Sequence, residues 1–197
     1  GQICISIQRI IVRDKIYHRF TQEFVNKAKS LKLGDPLQEK TDIGPMIDDA
    51  STELADSWVD SAVGNGAEVL LRGERKGRNF PPAALENVPR SEPAYSKEIF
   101  APVVCFSRFS DFSEALAEVN DSDYGLQAGV FTSNIDHAWQ AFEELEVGGV
   151  MINDIPTFRV DQMPYGGVKN SGFGREGLKY AMEEMTELRL MTLNTVR

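Results

Sequence analysis

Cys4 follows Gly1-Gln2-Ile3. A thiolate at this position could attack an electrophilic carbon, with Gly1 letting the backbone approach a substrate closely and the Gln2 amide holding a turn. A lone cysteine is more often a small buried hydrophobe, so Cys4 by itself leaves both readings open. A second segment, Glu98-Ile99-Phe100-Ala101-Pro102-Val103, sets a carboxylate two residues before an aromatic ring, and a proline then leads into an apolar run. The carboxylate could accept hydrogen bonds from ribose hydroxyls while the ring packs beside a flat heterocycle; the plainer alternative is a solvated Glu and a core Phe. Third come Asn153 and the stretch from Pro164 to Gly177, whose many glycines demand an irregular backbone in tight contact. Gly172, Gly174 and Gly177 match the spacing G-x-G-x-x-G. No apolar strand runs directly into them, and the chain ends where a ribose-binding acid would be due, so they are not read as a dinucleotide fingerprint.

The elements that must hold these residues alternate between helix and strand. From Ile16, the residues Phe20, Phe24, Ala28 and Leu31 make one apolar helical stripe that ends at Gly34-Asp35-Pro36. Leu54, Trp58 and Ala62 make another, stopped by Gly64-Asn65-Gly66 before a strand at 68–71. Asp111 and Glu114 offer a capping box for a helix burying Ala115, Leu116 and Val119, followed by a strand at 128–132. A helix with Ala138, Phe142 and Leu145 inward then leads to a strand at 150–152, while 9–12 and 103–106 read as buried strands. A helix at 178–185 precedes the alternating segment Leu188 to Leu193, read as a terminal strand able to pair with another subunit. This order predicts an α/β fold: a mostly parallel, twisted sheet flanked by helices, as one domain over 1–185, with an oligomerisation strand over 186–197.

Composition narrows the class. The 197 residues suffice for a core without disulfide staples, and 21 basic against 30 acidic residues give a net charge of −9, with no acidic tail and no basic surface for nucleic acid. No apolar run approaches the roughly 20 residues that span a bilayer, so no membrane partner is expected. Two cysteines are too few for a disulfide framework and are not spaced as metal ligands, which points to a reducing cytoplasm and no metal site. Gly1 to Cys4 contain neither an initiator Met nor a secretory signal and read as a cut end.

The Gly1 to Cys4 motif, Glu98 to Val103, Asn153, Pro164 to Gly177, and Asn120 to Leu126 with Val130-Phe131-Thr132 occur in an order and spacing that resemble the aldehyde dehydrogenases along essentially the whole chain. The resemblance implies that Cys4 is the nucleophile, attacking an aldehyde carbon to give a thiohemiacetal. The backbone N–H of Cys4 is among the donors that hold its oxyanion. Hydride then passes to a nicotinamide of NAD or NADP, and the resulting thioester is hydrolysed or taken by coenzyme A. By the same resemblance Glu98 binds the ribose beside the nicotinamide and Phe100 presses on that end of the cofactor. Ile3, Ile5, Phe158 and Tyr165 line the tunnel for a small aldehyde, and the protein is a homo-oligomer. Arg159 could meet an anionic substrate or, the favoured reading, a surface carboxylate. The stretch from Asn153 to Asp161 looks like members acting on small polar or anionic aldehydes. His18 and His137 are expected at the surface, and Cys105 as a buried structural thiol.

The resemblance also marks what is missing. The family's general-base Glu, the Asn side chain of its oxyanion site and its cofactor-binding domain all precede the catalytic Cys. The expectation is therefore a catalytic-domain portion, inactive alone and weak in cofactor binding. Two other readings stay open at this point: a thiol acyltransferase, which would need a His or second acid beside Cys4, and a non-catalytic module that self-associates through exposed faces.

Overall fold

The computed structural model describes residues 1–195. It divides into two compact units, Gly1–Ser122 and a second that begins at Asp123, where the sequence pointed to one domain.

The first unit is built on a four-stranded sheet. Strand β1 (Arg9–Arg13) passes through one turn of 3-10 helix into α1 (Tyr17–Ser30). Helix α2 (Asp49–Gly64) precedes β2 (Glu68–Leu71) and β3 (Ala83–Glu86). A single turn, α3 (Pro93–Ser96), precedes β4 (Val103–Phe109), and α4 (Phe112–Asn120) follows. The order is β1-β4-β3-β2, with β1 and β3 parallel to β4 and β2 antiparallel at the edge. The fold is thus the predicted α/β type. Alternate side chains of β3 feed two cores: Leu85 packs with Val59, Ala62, Ile99 and Val103, whereas Ala84 packs with Val12, Tyr17 and Phe106.

The helices form where their patterns predicted, but their buried faces are turned. In α1 the buried residues are Tyr17, Thr21, Val25 and Ala28; Phe20 and Phe24 sit at the margin and reach Phe106 edge-on, with ring centroids 6.2 and 5.1 Å away. In α2, Thr52, Ala55, Val59 and Ala62 are buried and Leu54 points outward, because the small residues let the helix approach the sheet closely. The carboxylate of Asp48 caps α2 at the Ser51 N–H, 2.7 Å away. Asp111 caps α4 as expected, but through the Ser113 N–H, while Glu114 accepts from Ser110 Oγ, so the reciprocal capping box does not form.

The second unit has two small sheets: β5 (Tyr124–Gly125) antiparallel to β8 (Val168–Lys169), and β6 (Gln127–Val130) parallel to β7 (Gly149–Ile152). Helix α5 (Ile135–Glu144) links β6 to β7, and α6 (Leu178–Glu184) closes the unit. Ala138, Ala141 and Leu145 are buried, whereas Phe142 is 64% exposed, against the expectation that it faces inward. Residues 188–193 pair with no strand among the described residues, and Leu188, Leu190, Met191 and Leu193 are exposed. Val196 and Arg197, the end of the oligomerisation segment, lie outside the described residues. No helix among the described residues is long and apolar enough to cross a membrane.

Candidate functional site

In the first unit the thiol of Cys4 is exposed on a turn that the Ser6 N–H closes onto Ile3 O at 3.0 Å. The Gln2 amide ties the segment before this turn to residues 45–47: it donates to Pro45 O at 3.3 Å and accepts from the Ile47 N–H at 2.8 Å. Glycine is required at position 1, because a Cβ there would lie 2.0 Å from Ala101 O and 2.6 Å from Pro102 N. The segment bearing the thiol and the segment bearing Glu98 and Phe100 are therefore in backbone contact. Ile3 is exposed and Ile5 half-buried beside the thiol.

Glu98 and Phe100 are both exposed and flank Ile99, which is buried in the core and anchors the pair. The Glu98 carboxylate has no hydrogen bond or ion pair with the described residues, which leaves it open to hydroxyl donors. Phe100 holds φ at +50°. For a residue with a Cβ this costs about 1–2 kcal/mol, a strain that persists only where the surroundings fix it. One buried anchor thus sets both an exposed carboxylate and an exposed ring.

Among residues the sequence reading passed over, Gln8 ties this loop to β1. Its amide donates to Ala94 O at 2.9 Å and to Lys97 O at 2.6 Å, and accepts from the Ile99 N–H at 3.2 Å. The only signal was an amide side chain at the entrance to an apolar strand.

Cys105 behaves as predicted. It is buried in β4, its Sγ lies 3.3 Å from Ala94 O, and burial pushes its pKa up to about 12. A limiting alkylating reagent is accordingly expected to label Cys4 in native protein and to reach Cys105 only after unfolding. Peptide mapping of the labelled protein checks this, and equal labelling of the two would contradict it. His18 is exposed on α1, and His137 is half-buried on α5.

In the second unit, Asn153 takes φ +58° at the end of β7, and its Oδ1 accepts from the Thr132 N–H at 2.8 Å. Phe158 is partly exposed, and its carbonyl accepts from Gln127 Nε2 at 3.3 Å. Tyr165 is buried beneath the Arg159 guanidinium, 4.2 Å above its ring, and Arg159 also bonds Glu176 Oε2 at 3.0 Å. The favoured surface-carboxylate reading of Arg159 is thus met by Glu176. Tyr165 and Glu176 exchange both backbone hydrogen bonds, closing the glycine-rich loop on itself. A Cβ on Gly166 would lie 2.7 Å from Gly174 O, so these glycines serve backbone packing.

Comparison with known proteins places the chain in one family. The sequence pattern of the Aldehyde dehydrogenase family matches residues 1–191, and the chain belongs to that family. It is 47% identical over 194 residues to a 3-sulfolactaldehyde dehydrogenase of Priestia megaterium, covering 98% of this chain and 41% of that protein. A lactaldehyde dehydrogenase of Methanococcus aeolicus is 42% identical over 99% of this chain and 42% of its own length. Among solved structures, aldehyde dehydrogenase 21 of Physcomitrella patens, in complex with the reaction product succinate, superposes with a TM-score of 0.93. It is 46% identical over 95% of this chain and 39% of that one. The glyceraldehyde-3-phosphate dehydrogenase GapN of Methanocaldococcus jannaschii, complexed with NADP, gives a TM-score of 0.90 at 46% identity over 94% of this chain and 40% of that one. The chain spans about two fifths of the length of the relatives it matches.

Proposed function

We propose that this chain carries the nucleophile and the nicotinamide-ribose contacts of an NAD(P)-dependent aldehyde dehydrogenase acting on a small polar or anionic aldehyde. The observation that carries the reading is the backbone contact of Gly1 with Ala101, which joins an exposed thiol to the loop presenting Glu98 and Phe100.

In this reading the Cys4 thiolate adds to the aldehyde carbon. A C–S bond forms, and the carbonyl oxygen becomes an oxyanion held by donors that include the Cys4 backbone N–H. Expulsion of hydride from that carbon restores the C=O bond as a thioester. The nicotinamide, when bound, accepts the hydride. Water then adds to the thioester, the C–S bond breaks, the acid leaves, and Cys4 is again a thiolate. Glu98 would hold the ribose through its open oxygens and Phe100 would limit where the ring can lie. Ile3, Ile5, Phe158 and Tyr165 are assigned to the aldehyde by family resemblance. The substrate class accords with the names of the 3-sulfolactaldehyde and lactaldehyde relatives and with the succinate bound by the Physcomitrella patens enzyme.

The family's general base and most contacts to the cofactor phosphates and adenine correspond to residues outside these 197, so the chain by itself is proposed to turn over little or no aldehyde. The exposed apolar residues from Leu188 to Leu193 are proposed to pair with a second copy in a homo-oligomer, in a cytoplasm that keeps both thiols reduced. The cofactor assignment is tested by Glu98→Gln in the longest natural polypeptide that contains this chain. It should lower kcat/KM for the cofactor by roughly tenfold, with stability unchanged because the side chain is exposed. Cofactor kinetics equal to those of the parent would remove Glu98 from the site.

A further inference from the structure

We propose that Gln8 is the positioning residue for Glu98, and thereby couples the nucleophile segment to the cofactor end of the site; this rests on the cofactor role proposed for Glu98. The geometry is specific. Gln8 lies four residues after Cys4, and its side chain grips the backbone on both sides of Glu98: Nε2 donates to Lys97 O at 2.6 Å, and Oε1 accepts from the Ile99 N–H at 3.2 Å. A further donation to Ala94 O at 2.9 Å fixes α3, the turn that leads into this loop. The backbone of Gln8 is itself held, because its carbonyl accepts from the Cys105 N–H at 2.8 Å at the head of the β1 and β4 pairing. One amide therefore uses both its donor and its acceptor capacity to tie the 94–99 loop to the sheet edge from which the Cys4 turn departs.

The clamp answers a need that the core alone does not meet. Ile99 anchors the loop by burial, but a buried side chain fixes depth better than it fixes the rotation of the backbone on either side. Phe100 must also stay at φ +50°, which the chain would relax if the loop could turn. Hydrogen bonds at Lys97 and at Ile99 remove that freedom, so the direction of Glu98 is set by Gln8. A displacement of about 1 Å at such a support costs up to roughly a hundredfold in rate when the supported group orients a reactant.

Two measurements test the proposal. Amide hydrogen exchange on this chain reads the clamp without any cofactor. Gln8→Leu, which keeps the volume and loses all three bonds, should speed exchange at Ile99 at least about tenfold while the amides of β4 beyond Cys105 keep their protection. Gln8→Glu serves if the Leu variant does not fold, since it retains the acceptor for Ile99 and loses both donors; it should free the Ala94 and Lys97 side of the loop. Unchanged exchange in the loop overturns the proposal, as does an increase spread over the whole sheet.

The second measurement is a double-mutant cycle in the longest natural polypeptide carrying this chain. Gln8→Leu should reduce cofactor kcat/KM by roughly 10- to 100-fold and leave the aldehyde KM and Cys4 alkylation rate unchanged. Added to Glu98→Gln it should cost less than about a further twofold, because the group it positions is already disabled. Full additivity, or equal losses for cofactor and aldehyde, overturns the positioning role. If Glu98→Gln alone leaves cofactor kinetics untouched, the cofactor reading fails with it; if Glu98→Gln is damaging and Gln8→Leu is silent, only the present proposal fails.

Discussion

Cys4→Ser in the longest natural polypeptide carrying this chain is expected to lower aldehyde oxidation by on the order of a thousandfold or more, with little change in stability. In the proposed mechanism this substitution removes the nucleophile. A serine hydroxyl ionises far above a thiol, so at neutral pH almost none of it is present as the attacking anion. A serine ester is also a poorer acyl donor than a thioester, so deacylation slows as well. Stability should hold to within about 0.5 kcal/mol because the side chain is exposed and no core contact is removed. Steady-state turnover, the melting temperature and mass spectrometry of the protein quenched during turnover check the three parts together. An acyl adduct should appear on Cys4 in the parent and be absent in the variant. A serine variant with turnover near that of the parent would end the assignment of Cys4, and a variant that melts far earlier would make the loss uninformative about chemistry, which the exposure of Cys4 argues against.

The sequence disclosed the alternation of elements because helical and strand periods are local properties, and every strand it predicted in the first 152 residues is present. It passed over β3, whose Ala-Ala-Leu-Glu has weak strand propensity; that strand exists because it lies between β4 and β2 and buries Ala83, Ala84 and Leu85 completely. The helix faces are turned relative to the stripes of large apolar residues because the small residues pack inward. Packing against a sheet favours small residues such as Ala55 and Ala62, which leaves Leu54 and Phe142 facing outward. Cys4, Glu98 and Phe100 were legible as a set only by resemblance to a family, since each alone had an equally good structural reading. Gln8 was not legible at all. Its three bonds join residues 86 to 91 positions apart, and no local pattern carries such a contact. Glu118 could have been suspected: it stands three residues after Ala115, on the face of α4 that the apolar residues already marked as buried.

Glu118 is also where the largest loss of stability is expected, about 2–4 kcal/mol for Glu118→Ala, read as a shift of the urea midpoint at constant slope. Its carboxylate is buried between α4 and the sheet. Oε1 accepts from the Tyr95 hydroxyl at 2.6 Å and from Ser107 Oγ, and Oε2 lies 3.5 Å from the Arg90 guanidinium. Arg9 holds the surrounding elements, stacking 5.1 Å over the Tyr95 ring and donating to the backbone carbonyls of Glu118, Val119 and Asp121. Truncation would leave a buried phenol and a hydroxyl without their acceptor, which costs more than the bonds themselves contribute. Glu118→Gln, which keeps an acceptor and the volume, should lose about half as much. The same enclosure sets a pH limit. Burial, and next the bond to Glu118, raise Tyr95 from 10.0 to about 12, and burial raises Cys105 from 9.0 to about 12. Both groups hold their protons more tightly folded than unfolded, so their contribution is complete below pH 9 and falls as pH rises toward 12. Urea titrations across that window should show the midpoint falling with pH, and a midpoint constant to pH 12 would contradict it. The contrast with Glu98 is the physical point. Two carboxylates of one compact unit divide the work, the solvated one unsatisfied and tolerant of replacement in the fold, the enclosed one indispensable to it.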